Sequence, residues 1–170
     1  MTALVTEDQS VLRLPAPWEG YYIDSSPERF DLEVAWTYLS TQAYWGRHRS
    51  RELVELQIQK AWLVFGLFHE PSSSMVGMAR VVGDGDTNLL MDVFILPTHQ
   101  GNGLGVAFLE HVLNGDNRNR WRWLLHTGDR KDWYVQKLGF RVVGEGARGK
   151  LMGVPYFVLE KDGRVPDDEV

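Results

Sequence analysis

The chain has no cysteine among its 170 residues, which excludes disulfides, thiolate metal sites and a cysteine nucleophile. It has no surplus of positive charge. Lys and Arg number 18 against 23 Asp and Glu, a net of −5, so no global field holds it on nucleic acid or on an anionic membrane. No run approaches the roughly 18 apolar residues of a membrane span. The opening MTALVTEDQS lacks a basic start and puts Glu7 and Asp8 where a signal peptide needs an apolar centre, so a cytoplasmic protein is expected. There is no internal repeat and no linker rich in Pro, Gly or Ser. One domain is therefore expected over 18–161, between a loosely ordered arm at 1–17 and a polar tail at 162–170. The five histidines are scattered, and no metal site is expected.

What is present reads as alternating elements. GYYID (20–24) has the look of a strand, and Ser26 followed by Pro27 is a helix-start signal. Phe30, Val34 and Tyr38, with Ala35 and Leu39 beside them, form one apolar helical face. GRHRS interrupts it, and Ser50 opens a second helix to about Lys60. The strands AWLVFGLFH and MVGMARVV follow, joined by EPSSS, and GDGD turns the chain into NLLMDVFIL. Asp84 to Asn88 begins like a calcium loop, but Leu89 stands where glycine is needed and Ile95 where the bidentate glutamate belongs. A hairpin is the reading there. A helix from about Gly103 to Leu113, the strand RWLLHT, the short helix DWYVQKL and the strands FRVV and VPYFVLEK complete the chain. This mixed order points to an α+β sheet with helices on both faces.

Between an apolar strand and a helix lies QGNGLG, residues 100–105. Glycines let backbone N–H groups approach an oxyanion, and the helix N-terminus adds unsatisfied donors and partial positive charge. A phosphate or pyrophosphate is the natural occupant. A P-loop is excluded, because the Gly149-Lys150 pair is followed by Leu151. A dinucleotide fingerprint also fails, since its third glycine would fall on Phe108 or Val106.

Gln100-Gly101-Asn102-Gly103-Leu104-Gly105 resembles the Gln/Arg-x-x-Gly-x-Gly/Ala signature of GCN5-related N-acetyltransferases, the GNAT superfamily. Trp133-Tyr134-Val135-Gln136-Lys137-Leu138-Gly139-Phe140 resembles that superfamily's FYEKLGF segment, and the element order agrees from GYYID to YFVLE. The resemblance implies the GNAT fold, a mixed sheet of about seven strands splayed at the cofactor site with four helices on its two faces. It implies acetyl-CoA as co-substrate, with the pyrophosphate on residues 100–105 and the pantetheine and thioester along Val93, Phe94 and Ile95. It implies direct attack by an amine, with a small-molecule acceptor favoured over a protein or peptide amine, and dimers are frequent among its members. A non-catalytic acyl-CoA sensor is the competing class. Tyr134, carried over as general acid, would stand near the cofactor sulfur. Its hydroxyl, at a pKa of about 10, can donate to a thiolate near ~8.5; core packing is the plainer role.

An ammonium with a pKa of about 10.4 must lose a proton before it attacks. The glutamate that some relatives use maps near Leu89. Asp92 interrupts an apolar run, so it binds a cationic acceptor, acts as base, or pairs with a residue such as Arg80. Strand alternation sets Asp92 opposite in parity to Leu89, which weakens the role of base. His126, near the end of its strand, could titrate usefully or bond the backbone. On the acceptor side, Tyr44 and Trp45 could wall a pocket, Arg80 could touch substrate, and Arg47, Arg49 and Arg51 could take an anionic group. The alternative is a Trp45 that closes the core beside solvated arginines.

Overall fold

A computed structural model describes residues 11–143, 148–151 and 154–163. Nine strands among the described residues form one sheet: β1 (Val11–Arg13), β2 (Tyr21–Asp24), β3 (Leu63–His69), β4 (Ser74–Gly83), β5 (Thr87–Ile95), β6 (Arg122–Thr127), β7 (Arg141–Val142), β8 (Arg148–Leu151) and β9 (Val154–Asp162). They run in the order β1-β2-β3-β4-β5-β6-β9-β7, with β8 also on β9. Every pairing is antiparallel except β5–β6. A parallel pair needs a crossover, and the helix α3 (Leu104–Asn114) provides it. α1 (Leu32–Thr41) and α2 (Arg51–Gln59) precede it, and α4 (Lys131–Leu138) follows. The α+β class with helices on both faces is as expected. Two strands, β1 and β8, are additional. β1 falls within the arm expected at 1–17, whose first ten residues lie outside the described residues, as do 164–170 of the tail.

Apolar spacing decides which face each helix buries. In α3, Leu104, Phe108 and Val112 recur every four residues, with Leu109 and Leu113 alongside, and all five are buried. They pack with Tyr134 and Leu138 of α4 on Phe65, Leu67, Ala79, Val81, Leu90, Trp123 and Leu125 from the sheet. The opposite sheet face carries Phe68, Met75, Met78 and Phe94 against Ala35 of α1. The expected start of the first helix at Ser26 is corrected. Ser26 gives no side-chain cap, because its hydroxyl and N–H both donate to the buried Asp24 carboxylate, at 2.6 and 2.8 Å. Residues 27–29 make only a short 3-10 turn, and Asp31 caps α1 instead by accepting the Val34 N–H at 3.1 Å.

Two irregularities of β5 shape the sheet centre. Its pairing to β6 runs from Thr87↔Arg122 to Leu90↔Leu125 and then stops, so the strands part where β5 continues to Ile95. On the other side, Arg80 faces Met91 and Met78 faces Phe94, which leaves Asp92 and Val93 opposite the single residue Ala79. That is a β-bulge, with Asp92 at φ 50°. The extra residue inverts the alternation: Leu90 points to the α3 side and Phe94 to the α1 side. Asp92 therefore shares the face of Leu89, and the parity objection drawn from regular alternation does not hold.

Phe108 has no exposed surface. Phe108→Ala is expected to lower unfolding free energy by about 3–5 kcal/mol in a denaturant titration, with a native spectrum retained.

Candidate active site

The chain enters α3 through a turn of left-handed glycines, Gly101 at φ 94° and Gly103 at φ 82°. Gly103 occupies the N-cap position without a side chain to cap it, and the Asn102 side chain accepts the Leu104 N–H at 3.2 Å. Among the described residues, the N–H groups of Gly101, Asn102, Gly103 and Gly105 donate to nothing within the protein. A Cβ on Gly101 would meet no atom within 4 Å, so the space before the turn is open. Gln100 donates its side-chain amide to the Ile95 carbonyl at 2.5 Å and its N–H to Pro97. It ties the turn to the strand end. Trp18 covers one flank, donating its indole N–H to the Asn102 carbonyl at 3.0 Å. Nothing in the sequence marked that contact.

The strand leading into the turn presents backbone to the gap. Leu96 donates its N–H to Val76 of β4 at 2.7 Å. Alternation sends Phe94 the same way and turns the N–H and C=O of Val93 and Ile95 toward the space that β6 has left. With the Ile95 carbonyl held by Gln100, the Val93 groups and the Ile95 N–H face the gap.

Tyr134 stands in the first turns of α4, whose Trp133 lies 3.5 Å from the place a Cβ on Gly105 would occupy. This contact brings α4 beside the start of α3. Tyr134 is 8% exposed, and among the described residues its hydroxyl has no hydrogen-bond partner. Burial first, then the Asp129 carboxylate and Tyr44, push its pKa well up against the opposing pull of Arg130. The group stays protonated at neutral pH and is suited to donate a hydrogen bond.

Asp92 is gripped from two sides. Arg49, between α1 and α2, makes a two-pronged contact to its carboxylate at 2.8 and 3.0 Å, and Arg80 of β4 donates from Nε at 2.8 Å. The three side chains are at most 8% exposed. Burial alone would raise the Asp92 pKa, but the Arg49 hydrogen bonds and the two positive charges hold it below the usual carboxylate range. A carboxylate with both oxygens occupied and a lowered pKa is a poor base. Of the three roles open to Asp92, the geometry is that of the internal ion pair, and Arg80 faces Asp92 where contact with substrate had been expected.

Residues 60–142 match the Acetyltransferase (GNAT) domain family. Over 149 residues the chain is 27% identical to a Gibberella zeae protein named as an acetyltransferase, spanning 75% of this chain and 84% of that one. A GNAT-family structure from Xanthomonas campestris pv. campestris is 26% identical, with a TM-score of 0.67 over 78% of this chain and 94% of the other. Residues 60–142 carry the match to a GNAT acetyltransferase domain. An acetyl-CoA-bound GNAT acetyltransferase from Elizabethkingia anophelis shares the fold, with 15% identity and a TM-score of 0.60 over 84% of this chain and 98% of that one. The family resemblance carried by Gln100–Gly105 and Trp133–Phe140 is confirmed, and the enzyme class is acyltransferase.

The remaining candidates of this GNAT domain divide. Tyr44, between α1 and α2, reaches across to the loop after β6, where its hydroxyl accepts the Gly128 N–H at 2.9 Å and donates to Asp129 at 3.4 Å. Trp45 stacks edge-on against Tyr44 and packs on Leu39, Ala43 and Val54, closing the α1–α2 core. Arg47 is exposed, Arg51 pairs with Glu33, and Arg49 is buried against Asp92. His126 is exposed on the stretch of β6 beyond its last pair with β5, on the face opposite Leu125 and Thr127. Asp129, beside Tyr44, went unnoticed in the sequence. It lies in a loop whose position depends on the β6 and α4 packing, and no local signal marks it.

Two outcomes follow for this GNAT domain. Gly103→Ala forces a side chain into φ 82°, 3.3 Å from Trp18, and is expected to lower stability by about 1–3 kcal/mol in thermal melts, whereas Gly105→Ala, inside the helix and in ordinary contact distance, changes it little or raises it by up to about 1 kcal/mol. The lowered Asp92 pKa contributes stability that is present above the unfolded carboxylate value of about 3.9 and lost as pH falls through the folded value. Asp92→Asn is expected to be less stable at pH 7 and to show a flatter acid limb in unfolding measurements between about pH 5 and 2.

Proposed function

We propose that the chain transfers an acetyl group from acetyl-CoA to a primary amine of a small molecule, by direct attack while both substrates are bound. The observation that carries this reading is the set of undirected N–H groups at Gly101, Asn102, Gly103 and Gly105, at the head of α3 and beside the gap between β5 and β6. Such a cradle suits a diphosphate, and the adjoining free strand backbone suits an extended amide-bearing arm. Acetyl-CoA supplies the acetyl group as a thioester. The N–H of Val93, turned into the gap, would donate to the carbonyl oxygen as it gains charge. Tyr134, held protonated by its surroundings, would donate a hydrogen bond to the departing sulfur. Its raised pKa favours this donation over complete proton transfer.

Neither strand position offers a strong base: Asp92 is occupied and Leu89 stands at the glutamate position. The acceptor then loses its proton to water or to backbone carbonyls, and the enzyme uses the fraction that is already neutral. Asp129, on the wall shared with Tyr44 and Tyr134, adds negative charge that suits an ammonium-bearing acceptor. The domain over 18–161 would suffice for this chemistry in a cytoplasmic setting.

Thiol release from acetyl-CoA against a panel of amines tests the reading. An acceptor that works should show kcat/KM rising about tenfold per pH unit below the amine pKa. Tyr134→Phe should lower kcat by roughly 10²-fold with the acetyl-CoA Kd unchanged. Binding of acetyl-CoA without turnover on any amine would mark a sensor instead.

A further inference from the structure

The grip on Asp92 is a costly arrangement to bury. Two guanidiniums face one carboxylate in a site where none of the three side chains exceeds 8% exposure. Arg49 Nε has no hydrogen-bond partner there. Buried ion pairs of this kind are often no more stabilising than apolar side chains of the same size, and their best-attested use is to fix one register against another. A register decision is what this site contains. Asp92 opens the bulge of β5, holds φ 50°, and stands where the strand's alternation inverts. Without the extra residue, every side chain beyond it would change face, and the Val93 N–H would turn toward β4 and away from the gap.

We infer that Arg49 and Arg80 are positioning residues: by holding the Asp92 carboxylate they hold the bulge, and through it they aim the Val93 N–H at the thioester carbonyl. The inference rests on the acetyl-transfer reading above. The two arginines come from different layers. Arg80 belongs to β4, the strand paired with the bulge, and fixes Asp92 from within the sheet. Arg49 lies between α1 and α2, with its Nη1 also donating to Gln57 of α2 at 2.8 Å. It thereby fastens the helices that cover the acceptor side to the strand that activates the acyl group. The same contact would keep the acceptor's path and the carbonyl in one frame, and an error of about 1 Å in such a frame can cost 10²-fold in rate.

Arg49→Lys keeps the charge and removes the two-pronged contact, so it separates geometry from electrostatics. It is expected to lower kcat for acetyl transfer by about tenfold or more. The Kd for CoA, which lacks the carbonyl and is held by the glycine turn, should stay within about twofold. The Val93 amide signal in a heteronuclear NMR spectrum should shift, and guanidinium added to Arg49→Ala should restore part of kcat. Should Arg49→Lys be poorly folded, Arg80→Lys is measured in the same way. A wild-type kcat in folded Arg49→Lys would overturn the inference, as would a kcat and a CoA affinity that fall together. Failure of the wild-type chain to bind CoA at all would strike the acetyl-transfer reading instead.

Discussion

Every backbone N–H and C=O in a sheet needs a partner, and β5 runs out of partners on one side after Leu90 and Leu125. The groups left over are disposed of one by one. The Ile95 carbonyl takes the Gln100 amide, while Val93 turns its N–H and C=O into the gap. The chain then passes through Gly101 and Gly103, whose left-handed backbone adds further N–H groups without partners among the described residues at the start of α3. The result, among the described residues, is two neighbouring sets of polar backbone groups without partners, one on β5 and one at the head of α3. A folded domain holds such groups open when something with matching acceptors and donors fits them.

Electrostatics around those groups are arranged by layer. On the α1–α2 side, the buried Arg49–Asp92–Arg80 cluster occupies both carboxylate oxygens and is withdrawn from proton transfer. On the α4 side, Tyr134 is buried with a hydroxyl that has no partner among the described residues, and Tyr44 crosses between the two walls to Gly128 and Asp129. One side therefore holds geometry and the other holds a donor. With Asp92 engaged by both arginines, deprotonation on the proposed reading falls to solvent and to the acceptor itself.

The glycine turn and α3 were legible from the sequence because their requirements are local. Left-handed backbone needs glycine, and a helix needs apolar residues every three or four positions. Tyr134 was legible through its segment, Trp133 to Phe140. The bulge at Asp92 was not legible, since an apolar run with one acid gives no sign of an extra residue, and regular alternation misassigned its face. Arg49 was hidden for a related reason: it stands between Arg47, which is exposed, and Arg51, which pairs with Glu33 at the surface, and only the fold shows which of the three turns inward. Ser26 misled because the buried Asp24, two residues back on the end of β2, took its hydroxyl in place of the helix. β1 escaped because three residues at a sheet edge carry too little pattern.

The central claim is that the amides of Gly101, Asn102, Gly103 and Gly105, together with Val93, meet acetyl-CoA. The most direct measurement is an amide-resolved NMR titration of the isotope-labelled chain with acetyl-CoA. The largest shifts should fall on those five residues, with Val93 moving less when CoA replaces acetyl-CoA. Shifts confined to other surfaces, or no shifts at saturating ligand, would contradict it.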